Sequence, residues 1–464
     1  MSYKILGNDV NRVDAVAKVT GMAKYTDDFI ERDMLVGKVL RSPYAHAHIK
    51  NIDIEEAANL EGVYAVITPK DLPKIKFATA GHPYSLDPSH RDVEDRLILT
   101  DKARLVGDAI AAVVAKDEII AEKALKLIKV DYEILPAVFD SEESAKEDAP
   151  KIHEDRKNNI LASSVIDIGD IESELKNADF IFEGEYETSI VQHCQLENQT
   201  AYSYVDSDNR IVIVTSTQIP HIVRRIVGQA LNIPWGRIRV IKPYIGGGFG
   251  NKQDVIIEPL TAAMTLAVNG RPVRFSLSRE EVFIDTRTRH AMKFNIKSAV
   301  SREGKLLGIY MKNMVNNGAY ASHGHSIAMS AASKFRPLYD FKSIRVEPKT
   351  VYTNLPTAGA MRGYGIPQVC FALESHIDDI ATKLNIDPIK FRKDNFISLG
   401  HIDPLNEIKV RSFELDKCIE KGKELIRWDE KKKIYKDQSS NKRRGLGMAC
   451  FSYFSGTHPV SLEL

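Results

Sequence analysis

The apolar positions of this chain fall into short strand-like runs separated by segments with helical spacing. Runs at residues 35–40, 130–135 and 237–241 predict strands, and residues 109–115 are apolar throughout, which predicts a strand buried on both faces. Apolar residues recur at helical spacing in residues 118–128, 220–231 and 254–268, and again in a segment that begins at Pro367. Because strands separate these helices, the pattern predicts α+β or α/β layers rather than a helical bundle.

Proline and charge divide the chain into regions. Pro136, the acidic stretch 140–147 and Pro150 predict a boundary between a first domain of residues 1–140 and a second domain of residues 155–400. Residues 428–444 are strongly charged and predict an exposed linker, and residues 445–451 predict a new apolar, strand-like unit. A segment as short as residues 445–464 cannot bury a core of its own. Residues 401–464 are therefore predicted to be a linker followed by the start of a further domain.

Composition and charge exclude several functional classes. The 464 residues are 43% hydrophobic and 27% charged, and the 64 basic residues nearly cancel the 63 acidic ones. This balance gives no basis for binding nucleic acid or an anionic membrane surface. No apolar run approaches the ~20 residues needed to span a bilayer, and the N-terminus lacks the apolar core of a signal peptide. The sequence therefore predicts a cytoplasmic protein.

The spacing of the cysteines excludes an iron–sulfur cluster built from this chain alone. Cys194, Cys370, Cys418 and Cys450 are widely scattered and form no CxxC pair, which argues against disulfides and structural zinc. An iron–sulfur cluster usually needs four closely grouped thiolates. Any electron transfer is therefore expected to depend on a partner.

A glycine-rich loop at residues 246–250 is the strongest candidate for chemistry. It follows the predicted strand 237–241 and precedes the predicted helix 254–268, so that backbone N–H groups can converge on an oxygen-rich ligand. An ordinary surface turn is the alternative. The loop does not match the phosphate-binding patterns of ATPases or nicotinamide enzymes, because Asn251 stands where each pattern requires another residue.

A second loop, residues 357–365, has the composition of a ligand-binding segment. Small residues flank Arg362 and Tyr364, as expected where the backbone approaches a ligand and one side chain orients it. An ordinary ion-pairing role for Arg362 is the alternative.

Taken together, these segments resemble the molybdenum-cofactor subunit of the xanthine dehydrogenase and aldehyde oxidase family, and in overall likeness its bacterial xanthine dehydrogenase molybdenum-binding subunits. The central motifs are residues 246–252, 360–368 and 215–218. The resemblance implies an α+β protein with an N-terminal hammerhead-type α/β domain, a mixed α+β molybdopterin-binding domain and the start of a truncated second one. The hammerhead-like motifs are residues 18–21, 41–43, 46–48 and 106–108, and the motifs of the second domain are residues 169–170, 271–273, 278–280 and 387–388.

The resemblance also implies a role for each residue of the site. Gln218 matches a glutamine whose amide hydrogen-bonds an oxygen on molybdenum, and Phe249 matches a residue whose backbone N–H does similar work. Gly248 and Gly250 allow the approach, and Arg362 matches the arginine of the second cofactor loop. Gln218, Phe249 and Arg362 would thus form the molybdenum environment through the cofactor, without being direct ligands. The implied cofactor is Mo-molybdopterin, with its cytosine dinucleotide form as a variant.

The implied reaction is hydroxylation of a carbon with water as the oxygen source, with electrons passing to partner 2Fe-2S and FAD subunits. The expected substrate is a purine such as xanthine or hypoxanthine, bound by Gln253 and Tyr364. Gln253 occupies the position of a family glutamate, and the family's pocket arginine would fall near residues 329–330, where this chain has none. Another N-heteroaromatic or aldehyde substrate, as in a nicotinate-type hydroxylase, and an inactive scaffold are the alternatives. Carbon monoxide oxidation is disfavoured because residues 360–364 lack a cysteine.

The family's catalytic base is a glutamate that would lie beyond Leu464, so no catalytic residue is predicted in this chain. The chain alone is expected to be inactive, and a second molybdopterin half-subunit is a candidate partner. Glu197 and Glu258 are expected to have structural partners rather than to act as bases. The pairs His46/His48 and His323/His325 are expected to be structural or pocket-lining, with His323 and His325 as candidates to approach the substrate.

Overall fold

The computed structural model describes residues 4–82, 91–405, 407–439 and 441–453. Strands and helices alternate along most of this length. The strands are β1 (Leu35–Arg41), β2 (Ala47–Asp53), β3 (Val63–Ile67), β4 (Lys102–Ala103), β5 (Ala109–Ala115), β6 (Lys129–Ile134), β7 (Ile160–Ser163), β8 (Ile166–Ile168), β9 (Phe180–Thr188), β10 (Val191–Gln192), β11 (Thr200–Val205), β12 (Ile211–Thr215), β13 (Ile238–Ile241), β14 (Val273–Ser276), β15 (Thr288–Arg289), β16 (Ala291–Val300), β17 (Leu306–Asn316) and β18 (Ser343–Val351).

The α-helices are distributed between the strands and at the C-terminal side. They are α1 (Ala15–Val19), α2 (Glu55–Ala58), α3 (Glu118–Leu127), α4 (Ser141–Ser144), α5 (Ile171–Asn177), α6 (Pro220–Leu231), α7 (Glu258–Ala267), α8 (Arg279–Asp285), α9 (Gly324–Ser333), α10 (Ile366–Lys383), α11 (Pro388–Asn395), α12 (Leu415–Ile426) and α13 (Trp428–Ile434). Within the described parts of the chain, no helix combines the length and apolar character that crossing a membrane requires.

A seven-stranded mixed sheet with the order β13-β12-β11-β14-β1-β5-β3 positions the glycine-rich loop. Strand β1 pairs in parallel with β14, with Leu35 opposite Val273, so the sheet joins strands from both sides of the predicted boundary at residues 140–155. Helices α6 and α7 cover this sheet through side chains such as Val223, Ile226 and Met264. The two predicted domains therefore share one sheet and the buried core that packs on it.

A second sheet, with the order β7-β18-β17-β16-β9 and with β8 also paired to β18, supports the loop at residues 357–365. Helices α9 and α10 pack on it, and their apolar positions, including Ile327, Leu373 and Ile377, belong to the same buried cluster as Phe294 of β16. A smaller sheet with the order β4-β2-β6 belongs to the N-terminal region. The mixture of sheets and covering helices agrees with the predicted α+β class.

Most of the predicted elements are confirmed. Strand β5 is buried at every position, as its continuous apolar pattern predicted, and α6 has the predicted limits. Helix α7 begins at Glu258 and not at Asp254, because Asp254 forms a β-bridge with Ala80 and Pro259 stands in the helix's first turn. Proline is well accommodated in a first helical turn, where its missing N–H has no intrahelical partner.

Residues 428–444 are largely exposed, as predicted, but the structure of residues 428–451 differs from the sequence-based description in two respects. The supposed linker begins with α13, which follows α12 through Arg427 in the left-handed conformation. Among the described residues from 441 to 453 there is no strand. Instead the amide of Cys450 donates a 2.8 Å hydrogen bond to Glu374, and Cys450 and Met448 pack on the second core. An apolar run without a neighbouring strand is here used for packing, which local pattern alone cannot reveal.

Candidate functional site

The site begins where two parallel strands end at the same edge of the seven-stranded sheet. Strand β12 runs parallel to its neighbour β13, with Ile211 opposite Ile238. The segment after β12 contains Gln218, and the segment after β13 contains the glycine-rich loop. Carboxyl ends of parallel strands are the usual position of ligand-binding crevices in such sheets. The topology therefore places Gln218 beside the loop, although the two strands end 26 positions apart in the sequence, at Thr215 and Ile241.

Gln218 is hydrogen-bonded to the loop at both its backbone and its side chain. Its backbone amide donates to the carbonyl of Lys252 at 2.9 Å, and its side-chain Oε1 accepts from the amide of Gly250 at 3.1 Å. The carbonyl oxygen of the side chain is thereby held by the loop, and the NH2 end of the same amide keeps its donors.

The loop at residues 357–365 meets the glycine-rich loop directly. The amide of Arg362 donates to the carbonyl of Phe249 at 3.1 Å, and the Arg362 guanidinium lies 4.1 Å from the centroid of the Phe249 ring. Both side chains are exposed, and 45% of Phe249 is accessible to solvent. The structure thus brings the predicted residues Gln218, Phe249 and Arg362 together, with a cation and an aromatic ring facing outward.

Two predicted glycines fill positions where a side chain has no room. A Cβ at Gly250 would lie 2.3 Å from the carbonyl oxygen of Ala360, and a Cβ at Gly248 would lie 2.5 Å from Gln218 Oε1. Gly250 also has a φ of +106°, which L-residues rarely adopt. These contacts explain how three backbone segments approach one another closely enough to form a common cradle. A cradle of backbone amides with an exposed cation suits an oxygen-rich or anionic group, as the pterin phosphate of a molybdopterin is.

Phe249 and Tyr364 are held in the left-handed backbone region. Their φ values are 55° and 48°, and each residue is flanked by a glycine on both sides. This conformation costs roughly 1–2 kcal/mol for a residue with a Cβ. Such strain persists only where surrounding contacts impose it, and it concentrates at functional sites.

A buried ion pair supports both loops from below. Arg287 and Asp254, both fully buried, are 3.0 Å apart, and Asp254 also accepts 2.8 Å hydrogen bonds from Thr79 and Ser322. Burial alone would favour the protonated carboxyl, but the charge of Arg287 acts together with His323 and with the hydrogen bonds from Thr79 and Ser322 to lower the pKa of Asp254. The charged pair therefore anchors the start of the segment that follows the glycine-rich loop.

Glu197 and Glu258 have the structural partners that the sequence led us to expect. Glu197 accepts from Lys252 Nζ at 2.6 Å and from the amide of Gly246 at 2.8 Å. Glu258 accepts from Thr215 at 2.9 Å, and burial raises its pKa. Both carboxylates hold the backbone around the loop.

The predicted substrate residues Gln253 and Tyr364 are both joined to His323. The Tyr364 hydroxyl lies 2.7 Å from His323 Nδ1, 2.7 Å from Ser326 Oγ and 2.9 Å from His82 Nε2. His323 Nε2 lies 3.3 Å from the carbonyl of Gln253. Burial raises the pKa of the Tyr364 hydroxyl, which therefore remains protonated and available for hydrogen bonding.

Three residues around Tyr364 were not predicted as site residues from the sequence. His82 and Ser326 contact the Tyr364 hydroxyl, and Lys334 Nζ lies 6.0 Å from the centroid of the Tyr364 ring. Lys334 is the C-cap residue of α9, the helix that includes residues 329–330, where the sequence lacked the expected arginine. Burial lowers the pKa of Lys334. A lone histidine or lysine carries no local signal, so only the spatial contact identifies these residues.

The two HxH pairs behave differently. His46 is buried and its Nδ1 lies 2.6 Å from the carbonyl of Pro136, as a structural histidine would. His325 instead lies near His82, the neighbour of the Tyr364 hydroxyl, with its Nε2 3.4 Å from Asp92 Oδ1; His82 Nδ1 is 2.6 Å from the same oxygen. Although burial favours the protonated carboxyl, hydrogen bonds from His325 and His82 lower the pKa of Asp92.

Comparison with known proteins places this arrangement in a family. Residues 152–396 match the family described as molybdopterin cofactor-binding domain, and residues 20–136 match the aldehyde oxidase and xanthine dehydrogenase a/b hammerhead domain. The chain is 48% identical over 453 residues to the xanthine dehydrogenase molybdenum-binding subunit of Escherichia coli O157:H7, covering 98% of this chain and 60% of that protein.

Two further relatives agree. The nicotinate dehydrogenase large molybdopterin subunit of Eubacterium barkeri is 32% identical over 424 residues, covering 91% of this chain and 96% of that protein. The solved aldehyde oxidoreductase of Desulfovibrio gigas is similar in structure with a TM-score of 0.85 and 30% identity, covering 92% of this chain and 47% of that chain.

The chain thus spans 60% of the length of the Escherichia coli relative and nearly the whole of the Eubacterium barkeri subunit. The two domain matches lie on either side of Pro150, and the match to residues 152–396 includes every residue of the two-loop cradle. The chain belongs to the aldehyde oxidase and xanthine dehydrogenase family and contains its molybdopterin cofactor-binding domain.

Proposed function

We propose that this chain is the molybdopterin-binding part of a hydroxylase that oxidises a purine, and that the cofactor binds in the cradle formed by the loops at residues 246–250 and 357–365. The observation that supports this most directly is the contact between the loops, with Phe249 bonded to Arg362 and Gln218 bonded to Gly250. When bound, the molybdenum cofactor supplies the oxidation of a substrate carbon, with water as the source of oxygen.

Each cradle residue has a separate task in this proposal. The NH2 group of Gln218 and the amide of Phe249 donate hydrogen bonds to oxygen atoms of the bound group, and neither residue is a direct metal ligand. Arg362 contributes a permanent positive charge and planar donors, which suit a phosphate or another anionic part of the cofactor. Gly248 and Gly250 keep the backbone free of side chains where the segments meet.

The substrate is proposed to lie against Tyr364 and Gln253. The phenol ring of Tyr364 offers a flat face to an aromatic heterocycle, and its hydroxyl is fixed by His323 and Ser326. The Gln253 amide can both donate to and accept from the edge of a purine such as xanthine or hypoxanthine. The 48% identical Escherichia coli relative carries the name xanthine dehydrogenase, which supports this substrate class.

A nicotinate-type heteroaromatic acid is the second candidate substrate. Lys334 places an ammonium group 6.0 Å from the centroid of the Tyr364 ring, where it can pair with a substrate carboxylate. This chain also covers 96% of the nicotinate dehydrogenase large subunit. Because the side chain of Gln253 is uncharged, it would not repel the carboxylate of such a substrate.

Oxidation of the substrate releases electrons that must then leave the site. We propose that they pass to partner subunits holding a 2Fe-2S cluster and FAD, as the family resemblance implies, with a second molybdopterin half-subunit as a further candidate partner. The four cysteines are far apart in sequence and all are free thiols, so they do not supply the grouped thiolates of an iron–sulfur cluster.

Cofactor content tests the proposal directly. The full chain is produced in cells supplied with molybdate, and molybdenum and released pterin are measured per folded chain. We expect close to one of each in the wild type and a several-fold loss in Gln218→Ala and Arg362→Ala. Arg239→Ala is the matched control, since Arg239 is an exposed arginine of β13 outside the cradle. A folded wild type without pterin, or equal content in Arg239→Ala and Arg362→Ala, would contradict the proposed site.

Substrate class is tested in the complex with its partner subunits. Xanthine, hypoxanthine and nicotinate are compared by kcat/KM with a dye as electron acceptor. A purine preference supports the first candidate, and a nicotinate preference supports the second.

A further inference from the structure

The imidazoles of two histidines and the carboxylate of one aspartate lie close together near Tyr364. His82 Nδ1 is 2.6 Å from Asp92 Oδ1, and His325 Nε2 is 3.4 Å from the same oxygen. One ligand atom from each of the three residues lies within 4.8 Å of the other two. Across residues 4–82, 91–405, 407–439 and 441–453, no second trio of histidine, cysteine or acidic side chains is arranged in this way.

We propose that His82, Asp92 and His325 form a binding site for a divalent transition-metal ion, with Zn²⁺ as the ion that suits it best. Imidazole nitrogen and carboxylate oxygen are both common zinc ligands, and three protein ligands leave a fourth position for water. The cradle around Gln218, Phe249 and Arg362 holds its group without direct ligands, so this trio is a separate kind of site.

The distances suit this ion with a small adjustment. Bonds of about 2.0–2.2 Å in tetrahedral geometry separate neighbouring ligand atoms by about 3.4 Å. The separation of His325 Nε2 from Asp92 Oδ1 already has this value, at 3.4 Å. The 2.6 Å contact of His82 with Asp92 is a hydrogen bond. It would open by about 0.8 Å when a metal replaces the shared proton, or Asp92 would turn to present its second oxygen.

The outer contacts hold the rings in the orientation that a metal needs. If His82 uses Nδ1 as a ligand, its Nε2 carries the proton and donates to the Tyr364 hydroxyl at 2.9 Å. Metal-bound histidines generally donate their other ring N–H to such a partner, which fixes the tautomer. His325 is attached differently, because its Nδ1 is buried and has no partner among the described residues. The 3.4 Å approach to Asp92 through Nε2 is therefore the interaction that directs this ring towards the trio.

Exposure allows an ion to enter. The side chains of His82 and His325 are 31% and 29% exposed, whereas that of Asp92 is 6% exposed. No lysine or arginine is paired with Asp92 in the described residues, so its nearly buried carboxylate depends on His82 and His325, the same two residues that would share the metal. A bound divalent ion would satisfy this carboxylate. The metal site does not require Tyr364 to bind a substrate, so it can be tested independently of the proposed hydroxylase function.

Cobalt titration of the full chain tests the site. The purified protein is treated with a chelator, and Co²⁺ is then added while visible d–d absorption is recorded, followed by displacement with Zn²⁺. We expect one equivalent of Co²⁺ to give the intense bands of a four-coordinate ion, and Zn²⁺ to remove them. Asp92→Asn and His325→Gln each remove a proposed direct ligand and should weaken binding by roughly tenfold or more, since even the outer partners of metal ligands contribute about that much. Molybdenum is measured in the same samples, so that cofactor occupancy is known for each titration.

His48→Gln is the matched control, because His48 belongs to the other HxH pair and is not part of the trio. It should bind Co²⁺ as the wild type does. Equal binding by His325→Gln and the wild type, or no binding by the chelated wild type, would overturn the proposal. If the variants fail to fold, X-ray absorption of the Zn²⁺-loaded wild type decides the matter. Scattering from two imidazoles supports the site, and scattering from none or from four overturns it.

Discussion

At the scale of single residues, the cradle depends on positions where a backbone conformation and a close contact coincide. Gly250 has a φ of +106°, and a Cβ added to it would lie 2.3 Å from the carbonyl oxygen of Ala360. Its amide also donates to Gln218, so the same residue links the glycine-rich loop to both neighbouring segments. A change at Gly250 should therefore alter the cradle more than it alters the rest of the fold.

We predict that Gly250→Ala loses most of its molybdenum and pterin. The added methyl would lie 2.3 Å from the Ala360 oxygen, so the two loops must separate. Adopting this positive φ costs a further ~1 kcal/mol for a non-glycine residue, and we expect the free energy of unfolding to fall by about 1–3 kcal/mol. Molybdenum content and urea unfolding measure the two effects.

Gly236→Ala provides the control for this prediction. A Cβ at Gly236 would meet nothing within 4 Å, and Gly236 has no positive φ. It should retain cofactor and stability. A Gly250→Ala protein with full cofactor content would show that the loops do not need this close approach.

Lys334 gives a prediction about substrate charge. We expect Lys334→Met to raise KM for a carboxylated heteroaromatic substrate by about tenfold, because a charge-assisted contact contributes roughly 1.5–3 kcal/mol. The KM for a neutral purine should change much less. Steady-state kinetics of the assembled enzyme give both values. Lys312→Met is the control, since Lys312 is an exposed residue of β17. A proportional change for both substrates would indicate a structural role for Lys334.

The residues of the site differ in how far the sequence could reveal them. Phe249 and Arg362 lie in loops whose glycine content is visible locally, and their contact joins positions 113 residues apart. His82 and Lys334 have no such local signal. Their interest arises only from the Tyr364 ring and hydroxyl, which the fold brings to them from 282 and 30 residues away. Contacts of this kind are set by topology rather than by neighbouring sequence.

At the scale of elements, the segment between the glycine-rich loop and α7 explains why one predicted boundary shifted. Asp254 has helix-compatible neighbours, but its carboxylate is committed to Arg287, Thr79 and Ser322. Tertiary contacts thus override the helical pattern until Glu258. Through Thr79 and Ser322, the same hydrogen-bond network connects the N-terminal region to the loop that precedes α9. Loss of the network should therefore destabilise several elements at once.

We predict that Asp254→Asn destabilises the protein by about 3–5 kcal/mol, because it leaves Arg287 buried without its counter-charge. Both side chains have 0% exposure, so water cannot replace the lost partner. The unfolding midpoint in urea measures this loss. Glu183→Gln is the control, since Glu183 pairs with Lys297 at an exposed position, with side chains 64% and 41% accessible. Exposed pairs contribute little, and this control should leave the midpoint nearly unchanged.

At the scale of the whole molecule, the seven-stranded sheet joins the regions that the sequence separated. The local patterns predicted β1, β5 and β13 as strands, yet nothing in them indicated that β1 would pair with β14, more than 200 residues later. Strand pairing depends on long-range packing, so individual elements are easier to predict than their order in a sheet. The shared sheet also means that the N-terminal region and the cofactor-binding region should unfold together.

The buried titratable groups of the whole molecule determine how its stability changes with acid pH. Burial lowers the pKa of His193, His290 and His376 to about 4, against an ordinary value of 6.5. Between these pH values the unfolded chain binds more protons than the folded one, so stability falls as the pH drops from 6.5 towards 4. Asp95 acts in the opposite direction, because burial raises its pKa to about 6 and its protonation stabilises the folded state at low pH.

His376→Gln isolates one of these contributions. In the folded protein the His376 ring lies 3.0 Å from Ser298 Oγ and 3.2 Å from the Tyr186 hydroxyl, with Asp379 and Lys383 as the nearby charges. Each proton difference changes the unfolding free energy by at most about 1.4 kcal/mol per pH unit, so the variant should flatten the profile by up to that slope between pH 6.5 and 4. Urea unfolding at several pH values measures it. His221→Gln, on the exposed side of α6, should reproduce the wild-type slope. If His376→Gln also reproduces it, the neutral buried imidazole is not a source of the acid sensitivity.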